Sequence, residues 1–197
     1  MGRIVISEFV SLDGVMEDPG GSESYVHGGW TFTFDRGTEG DRFKMQEVLD
    51  SDALLLGRTT YEGFAQAWPS MEGEFADLFN SLPKYVVSST MKEASWQNTT
   101  IVDGATDPMA EVRRLRDAHA RDLVVHGSTT LAQSLIAAGL VDELRLMVFP
   151  VVLGSGRRLF GELSDPARFT LASCNPLGPD GIVLAVYRPA PAKADSV

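Results

Sequence analysis

Cysteine is almost absent from this chain: one residue, Cys174, in 197. A single thiol can build neither an internal disulfide nor a thiolate metal cluster, and it suits a reducing compartment. Long hydrophobic runs are missing as well. No segment nears the roughly 20 apolar residues that span a bilayer. The opening MGRIVISEFV begins at once as a strand, without the charged start and long apolar core of a signal peptide. A cytoplasmic protein without a membrane partner is expected. Positive charge is scarce, with 17 Lys and Arg against 27 Asp and Glu, a net charge of −10. That field repels polyanions and no basic stripe offsets it, so nucleic acid is not an expected partner. A small anion can still be held by local dipoles and one or two arginines.

Several catalytic signatures are also missing. His27, His119 and His126 are scattered, so no metal site is expected. Neither a P-loop nor a G-x-S-x-G elbow occurs. The nearest approach to a dinucleotide fingerprint is GSGRRLFG (154–161), where Leu159 replaces the third glycine and no helix pattern follows.

What is present is an alternation of strands and helices, with 44% hydrophobic and 22% charged residues, ordinary for a globular chain. Strand patterns cover 4–9, 53–56, 85–87, 123–125, 144–149, 169–173 and 182–187. Helix patterns cover 41–49, 60–67, 74–82, 107–118 and a stretch that Ser128 caps and Gly139 ends. A glycine-rich loop fills 11–30. The alternation predicts a mostly parallel sheet covered on both faces. One domain over 1–190 is expected, with a disordered tail at 191–197.

Three strands end alike: ALLLG-RTT, YVVSS-T and LVVHG-STT. Each apolar run stops at small or hydroxylated residues, and the first and third then open a helix. Thr59 and Glu62 have capping-box spacing. Arg58 at the same helix start is unfavourable unless an anion is also there. In open parallel sheets ligands bind outside the carboxyl ends of the strands, so three such ends point to a phosphate-bearing ligand.

LLLGRTTYE, KYVVSSTM and LVVHGSTTLAQSLIAAGLVDELRL occur in the order and spacing of the dihydrofolate reductase fold. With ISEFVSLDGVMED and FPVVLGSGRRLF, the chain resembles one branch of it over residues 3–188: the reductase domain of the bifunctional riboflavin-biosynthesis enzyme and its stand-alone relatives. The resemblance implies a three-layer α/β/α fold with a mixed, mostly parallel sheet, and a homodimer. It implies an NADPH-dependent reductase acting on a small heterocycle, similar to 5-amino-6-(5-phosphoribosylamino)uracil reductase. A dihydrofolate or pterin reductase and a non-catalytic NADPH-binding protein are the other readings.

Carried over by residue, Gly57, Arg58, Thr59 and Thr60 meet cofactor phosphates at a helix start. Ser88, Ser89 and Thr90 lie near the adenosine 2′-phosphate, and Gly127, Ser128 and Thr129 hold the pyrophosphate. Ser11, Asp13 and Gly14 border the nicotinamide and substrate, or simply form a turn. Asp41 matches the substrate carboxylate of dihydrofolate reductases, or else stabilises a helix N-terminus; Asp13 is the other candidate acid. Trp30 and Phe32 are candidates to stack on a heterocycle. Gly154, Ser155, Gly156 and Arg157 either cradle a substrate phosphate or form a turn at the dimer seam. His126 departs from the paired glycines of dihydrofolate reductases.

Overall fold

A computed structural model describes residues 1–191; the expected tail falls, but for Pro191, outside the described residues. Among these, one sheet has eight strands: β1 (Arg3–Ser11), β2 (Ser51–Gly57), β3 (Lys84–Ser88), β4 (Thr99–Asp103), β5 (Asp122–Val125), β6 (Glu143–Phe149), β7 (Phe169–Leu177) and β8 (Ile182–Pro189). Their order is β4-β3-β2-β5-β1-β6-β8-β7. The first six strands in that order pair in parallel, and β8 runs antiparallel to both β6 and β7. The sheet is therefore mixed and mostly parallel, as the pattern implied.

Five helices, α1 (Gly37–Leu49), α2 (Arg58–Ala67), α3 (Glu74–Ser81), α4 (Pro108–Ala118) and α5 (Thr129–Ala137), connect the parallel strands. Both sheet faces are covered, which is why the central strands read as unbroken apolar runs. On β2, Leu55 packs with Ile4, Ile6, Val112 of α4 and Leu135 of α5. Its neighbours Leu54 and Leu56 turn the other way, onto Val48 of α1, Tyr61 of α2 and Phe79 of α3. Each such fully buried leucine contributes about 1.5–3 kcal/mol of transfer free energy. A third cluster, with Trp30, Phe149 and Ile182, closes the β6–β8 end. The apolar segment around β6 is central, lying between β1 and β8.

Two local expectations change. The capping box at Thr59 does not form. Helix α2 already starts at Arg58 with Gly57 as its N-cap and no side-chain cap, and Glu62 bonds Arg58 Nη1 at 3.0 Å instead. The predicted Ser128 cap is also not made: Ser128 is the N-cap of α5, but its Oγ accepts Gly57 N–H at 2.8 Å.

Candidate active site

The cleft lies where strand order permits it, outside the carboxyl ends of β2, β3, β5 and β1, and has a volume of about 1230 Å³. One turn ties its centre together. Gly127 and Ser128, just after β5, both have φ of +64°, a left-handed conformation that glycine favours and serine rarely adopts. Ser128 N–H donates to Thr60 Oγ1 at 2.7 Å, so the starts of α2 and α5 hold each other through Thr60 and Ser128. No side chain caps either helix, which leaves the first-turn N–H groups of both facing the cleft wall as free donors. The ten residues expected to hold the cofactor, Gly57 to Thr60, Ser88 to Thr90 and Gly127 to Thr129, all line this one cavity.

The expected substrate residues divide. Asp41 lines the cavity rim, with its side chain 68% exposed and bonded by Arg36 Nε at 2.7 Å. Arg157 also reaches the rim, but Glu17 and Glu23 accept its guanidinium at 3.0 and 2.5 Å, so the expected free cation is already neutralised. The others are not on the cavity wall. Trp30 is buried on Phe149, its Nε1 donating to the Glu17 carbonyl; its bulk closes the third cluster. Of the two aromatics expected to stack, Phe32, 78% exposed, lines the cavity, as Phe9, Phe34 and Phe79 also do.

The loop at 154–156 already holds an anion of the protein itself. Leu153 and Gly154 N–H groups donate to the Asp13 carboxylate at 3.1 and 2.9 Å, and Arg158 Nε donates to its carbonyl. Gly156 is packed so closely that an added Cβ would lie 2.8 Å from Val15 Cγ1, and the Ser155 carbonyl accepts the Tyr25 hydroxyl. The Ser11 hydroxyl, with those two N–H groups, holds Asp13 down to about 2. Asp13 is thus ionised at neutral pH and has no proton to give. Ser11, Asp13 and Gly14 form the turn that pins this loop, the plainer of the two readings of the sequence.

Sequence reasoning missed the charged groups beneath the cleft. The pattern gave Phe43, Met45, Val48 and Leu49 as the apolar residues of α1; Val48 is buried, but the helix also turns Lys44 and Glu47 inward. Lys44 Nζ donates to Ser7 Oγ at 3.1 Å and to Glu47, and Arg145 Nη1 donates to Glu47 Oε1 at 3.1 Å. Burial works against the Glu47 charge, but the Lys44 and Arg145 cations outweigh it and hold the carboxyl down to about 2. His126 is buried, its Nδ1 3.2 Å from the Ser7 carbonyl; burial, helped by Lys44, lowers it to about 4 and keeps the ring neutral.

Glu8 is the exception in this cluster. It lines the cavity and Gly127 N–H donates to its Oε2 at 3.0 Å, yet its Oε1 is buried without a partner. Burial pushes its carboxyl well above the ordinary carboxylate range. The visible signal was the segment ISEFV, a charge inside an otherwise apolar strand.

The RibD C-terminal domain profile matches residues 3–183. The chain belongs to that family. A curated relative, the uncharacterized protein YyaP of Bacillus subtilis, is 29% identical over 190 residues, 94% of each chain. Among solved structures, a putative riboflavin biosynthesis protein from Shewanella sp. PV-4 superposes with a TM-score of 0.73 at 23% identity, covering 95% of this chain and 99% of that one. Dihydrofolate reductase from Enterococcus faecalis, complexed with NADP(H), gives 0.62 at 16% identity, covering 95% and 96%. The diaminohydroxyphosphoribosylaminopyrimidine deaminase/5-amino-6-(5-phosphoribosylamino)uracil reductase of Thermotoga maritima gives 0.63 at 13%, covering 96% of this chain and 57% of that one. The fold is that of dihydrofolate reductase.

Proposed function

We propose that this RibD-type domain is a cytoplasmic, homodimeric, NADPH-dependent reductase of a small heterocycle, of the aminopyrimidine class that carries a ribosyl phosphate. Family and fold support a reductase-type function. The observation that carries the cofactor is the pair of uncapped helix starts, α2 and α5, locked to each other beside Gly127. Free N–H groups at positive helix ends suit phosphates. Glycine is needed at the turn because a Cβ on Gly127 would sit 2.9 Å from Thr60 Cγ2. Arg58 and the Ser88–Thr90 turn offer donors to an additional phosphate, which favours NADPH over NADH. At 1230 Å³ the cleft exceeds the usual range of about 300–1,000 Å³ for one small ligand, leaving room for a cofactor and a substrate together.

A reduced nicotinamide bound there supplies the hydride. This chain's own residues orient the two partners, exclude water and deliver a proton. Phe32 offers a flat apolar surface at the rim, while Lys44 and His126 present polar atoms on the wall.

The test is NADPH oxidation with a panel of pyrimidines and pterins, beside cofactor binding by fluorescence titration. Turnover of a small pyrimidine or pterin, with little or none of dihydrofolate, is expected. Dihydrofolate reduction with a kcat/KM near about 10⁴–10⁸ M⁻¹s⁻¹ would refute the substrate class. Binding without turnover of any panel member would make the protein a cofactor-binding module. Arg58→Ala should weaken NADPH binding by about 1.5–3 kcal/mol and NADH binding less. Equal losses for both cofactors would remove Arg58 from the 2′-phosphate site.

A further inference from the structure

Glu8 combines four observations that no structural role of its own explains. It stands on the cavity wall, it is 5% exposed, one carboxyl oxygen is engaged and the other has no partner. A buried ionised carboxylate needs donors or a cation on both oxygens, or it costs several kcal/mol. Its surroundings offer no spare cation. Lys44 is committed to Glu47 and Ser7, and Arg145 to Glu47, Asp122 and Glu143. Neutral His126 donates no second proton. Glu8 therefore sits next to a charged cluster whose charges are already matched without it. A neutral carboxylic acid fits this place, with Oε2 as acceptor from Gly127 and a hydroxyl on Oε1. That hydroxyl lacks an acceptor until a ligand brings one.

We propose that Glu8 is the acid of the reductase, giving its Oε1 proton to the substrate nitrogen of a C=N bond as the adjoining carbon receives hydride. This inference rests on the reductase reading above and assigns the one role which that reading leaves open. The new C–H bond takes the hydride pair, the π pair of C=N becomes the new N–H bond with the Glu8 proton, and the oxidised nicotinamide leaves. Glu8 ends as a carboxylate, held for that interval by the Gly127 N–H, and regains a proton from water when product departs. Its link to Gly127 fixes the acid on the same turn that the reading above assigns to the cofactor phosphates. Asp13 cannot take this role, being ionised and tied to the 153–154 loop, and Asp41 is solvent-exposed and paired with Arg36.

Two readouts separate the acid from the reductase reading. The first needs no turnover: infrared titration of the full chain, wild type against Glu8→Gln. A protonated carboxyl band that persists to neutral pH in the wild type and vanishes in Glu8→Gln is expected. Lys44, Glu47, His126 and Arg145 surround the strand from α1, the end of β5 and β6, and none of them gives a carboxylic-acid band at neutral pH. Titration of Glu8 at the ordinary carboxylate value of 4.5 overturns the proposal whatever the panel shows. The second readout is kinetic, on any panel substrate that is turned over. The Gln amide keeps a hydrogen-bond donor but no transferable proton, so kcat should fall about 10²–10⁴-fold with KM nearly unchanged. Glu8→Asp, one methylene short, should restore part of the rate. An unchanged kcat in Glu8→Gln overturns the acid role while leaving the reductase intact. A silent panel sinks the reductase reading and with it the catalytic role, even if the infrared band is present.

Discussion

Among single residues, the buried charges decide how the protein responds to pH. Glu47 is held near 2, below its ordinary 4.5, so it contributes stability that is present above 4.5 and lost as pH falls toward 2. His126, lowered to about 4 from 6.5, favours the neutral ring in the folded state; its contribution is present above 6.5 and lost between 6.5 and 4. Glu8 has the opposite sign. Its raised carboxyl favours folding fully only below 4.5, and that contribution disappears as pH rises. Thermal unfolding followed by circular dichroism should therefore show Tm falling as pH drops below 4.5, where the Glu8 contribution is complete and those of Glu47 and His126 are both being lost. At pH 7, Glu8→Gln should be more stable than the wild type, because it removes a group that burial penalises. A lower Tm for Glu8→Gln at pH 7 would mean that Glu8 is ionised and stabilising. This stability held back at a functional position is the expected trade-off at an active site. These residues were the least legible part of the sequence. Lys44 and Glu47 look like a solvated i,i+3 pair on a helix, and only the fold turns them toward Ser7 and Arg145.

Among elements, the strand ends were legible and the caps were not. The ends of β2, β3 and β5 could be read because small and hydroxylated residues interrupt apolar runs there, whatever the tertiary structure. The partners of Thr60 and Ser128 could not, since each bonds across 68 to 71 residues of sequence. Strand β4 was missed because it is an edge strand in which only Val102 is buried. Strand β7 runs to Leu177, beyond the expected Ser173, and carries Pro176, which an edge strand tolerates. The lock between α2 and α5 makes a sharp prediction. Gly127→Ala adds a Cβ at φ +64° and 2.9 Å from Thr60 Cγ2. It should cost about 1–3 kcal/mol in urea unfolding, the usual cost of a residue held in a sparsely populated backbone region. NADPH affinity should fall in the same variant, because Thr60 must move from Ser128 N–H. Unchanged NADPH binding in a destabilised Gly127→Ala protein would place the phosphates elsewhere.

For the whole molecule, the mostly parallel sheet was legible because the apolar pattern specifies strands buried on both faces, while the dihydrofolate reductase-like arrangement was legible through the resemblance of five motifs in register; β6 indeed lies inside the sheet. Assembly is a different matter, and the far end of the sheet bears on it. No helix among the described residues is long and apolar enough to cross a membrane. Strand β7 is the last in the sheet order, and Thr170 through Pro176 are exposed on both of its faces. An antiparallel sheet normally buries at least one face, and a long bare edge invites pairing with another chain. Leu171 adds an exposed apolar side chain to this edge, at 52%. We therefore expect a two-fold dimer that covers β7. Each protomer carries a charge of −10, so association works against mutual repulsion. Salt screens charges beyond about 8–10 Å at physiological strength, and the dimer should tighten as salt is raised. Light scattering at micromolar concentration should give twice the 21.4 kDa chain mass. Because a two-fold interface uses each position twice, Leu171→Glu places two like charges in it and should yield monomers with an unchanged circular dichroism spectrum. A monomeric wild type at that concentration would refute the dimer and leave the fold and the active site as described.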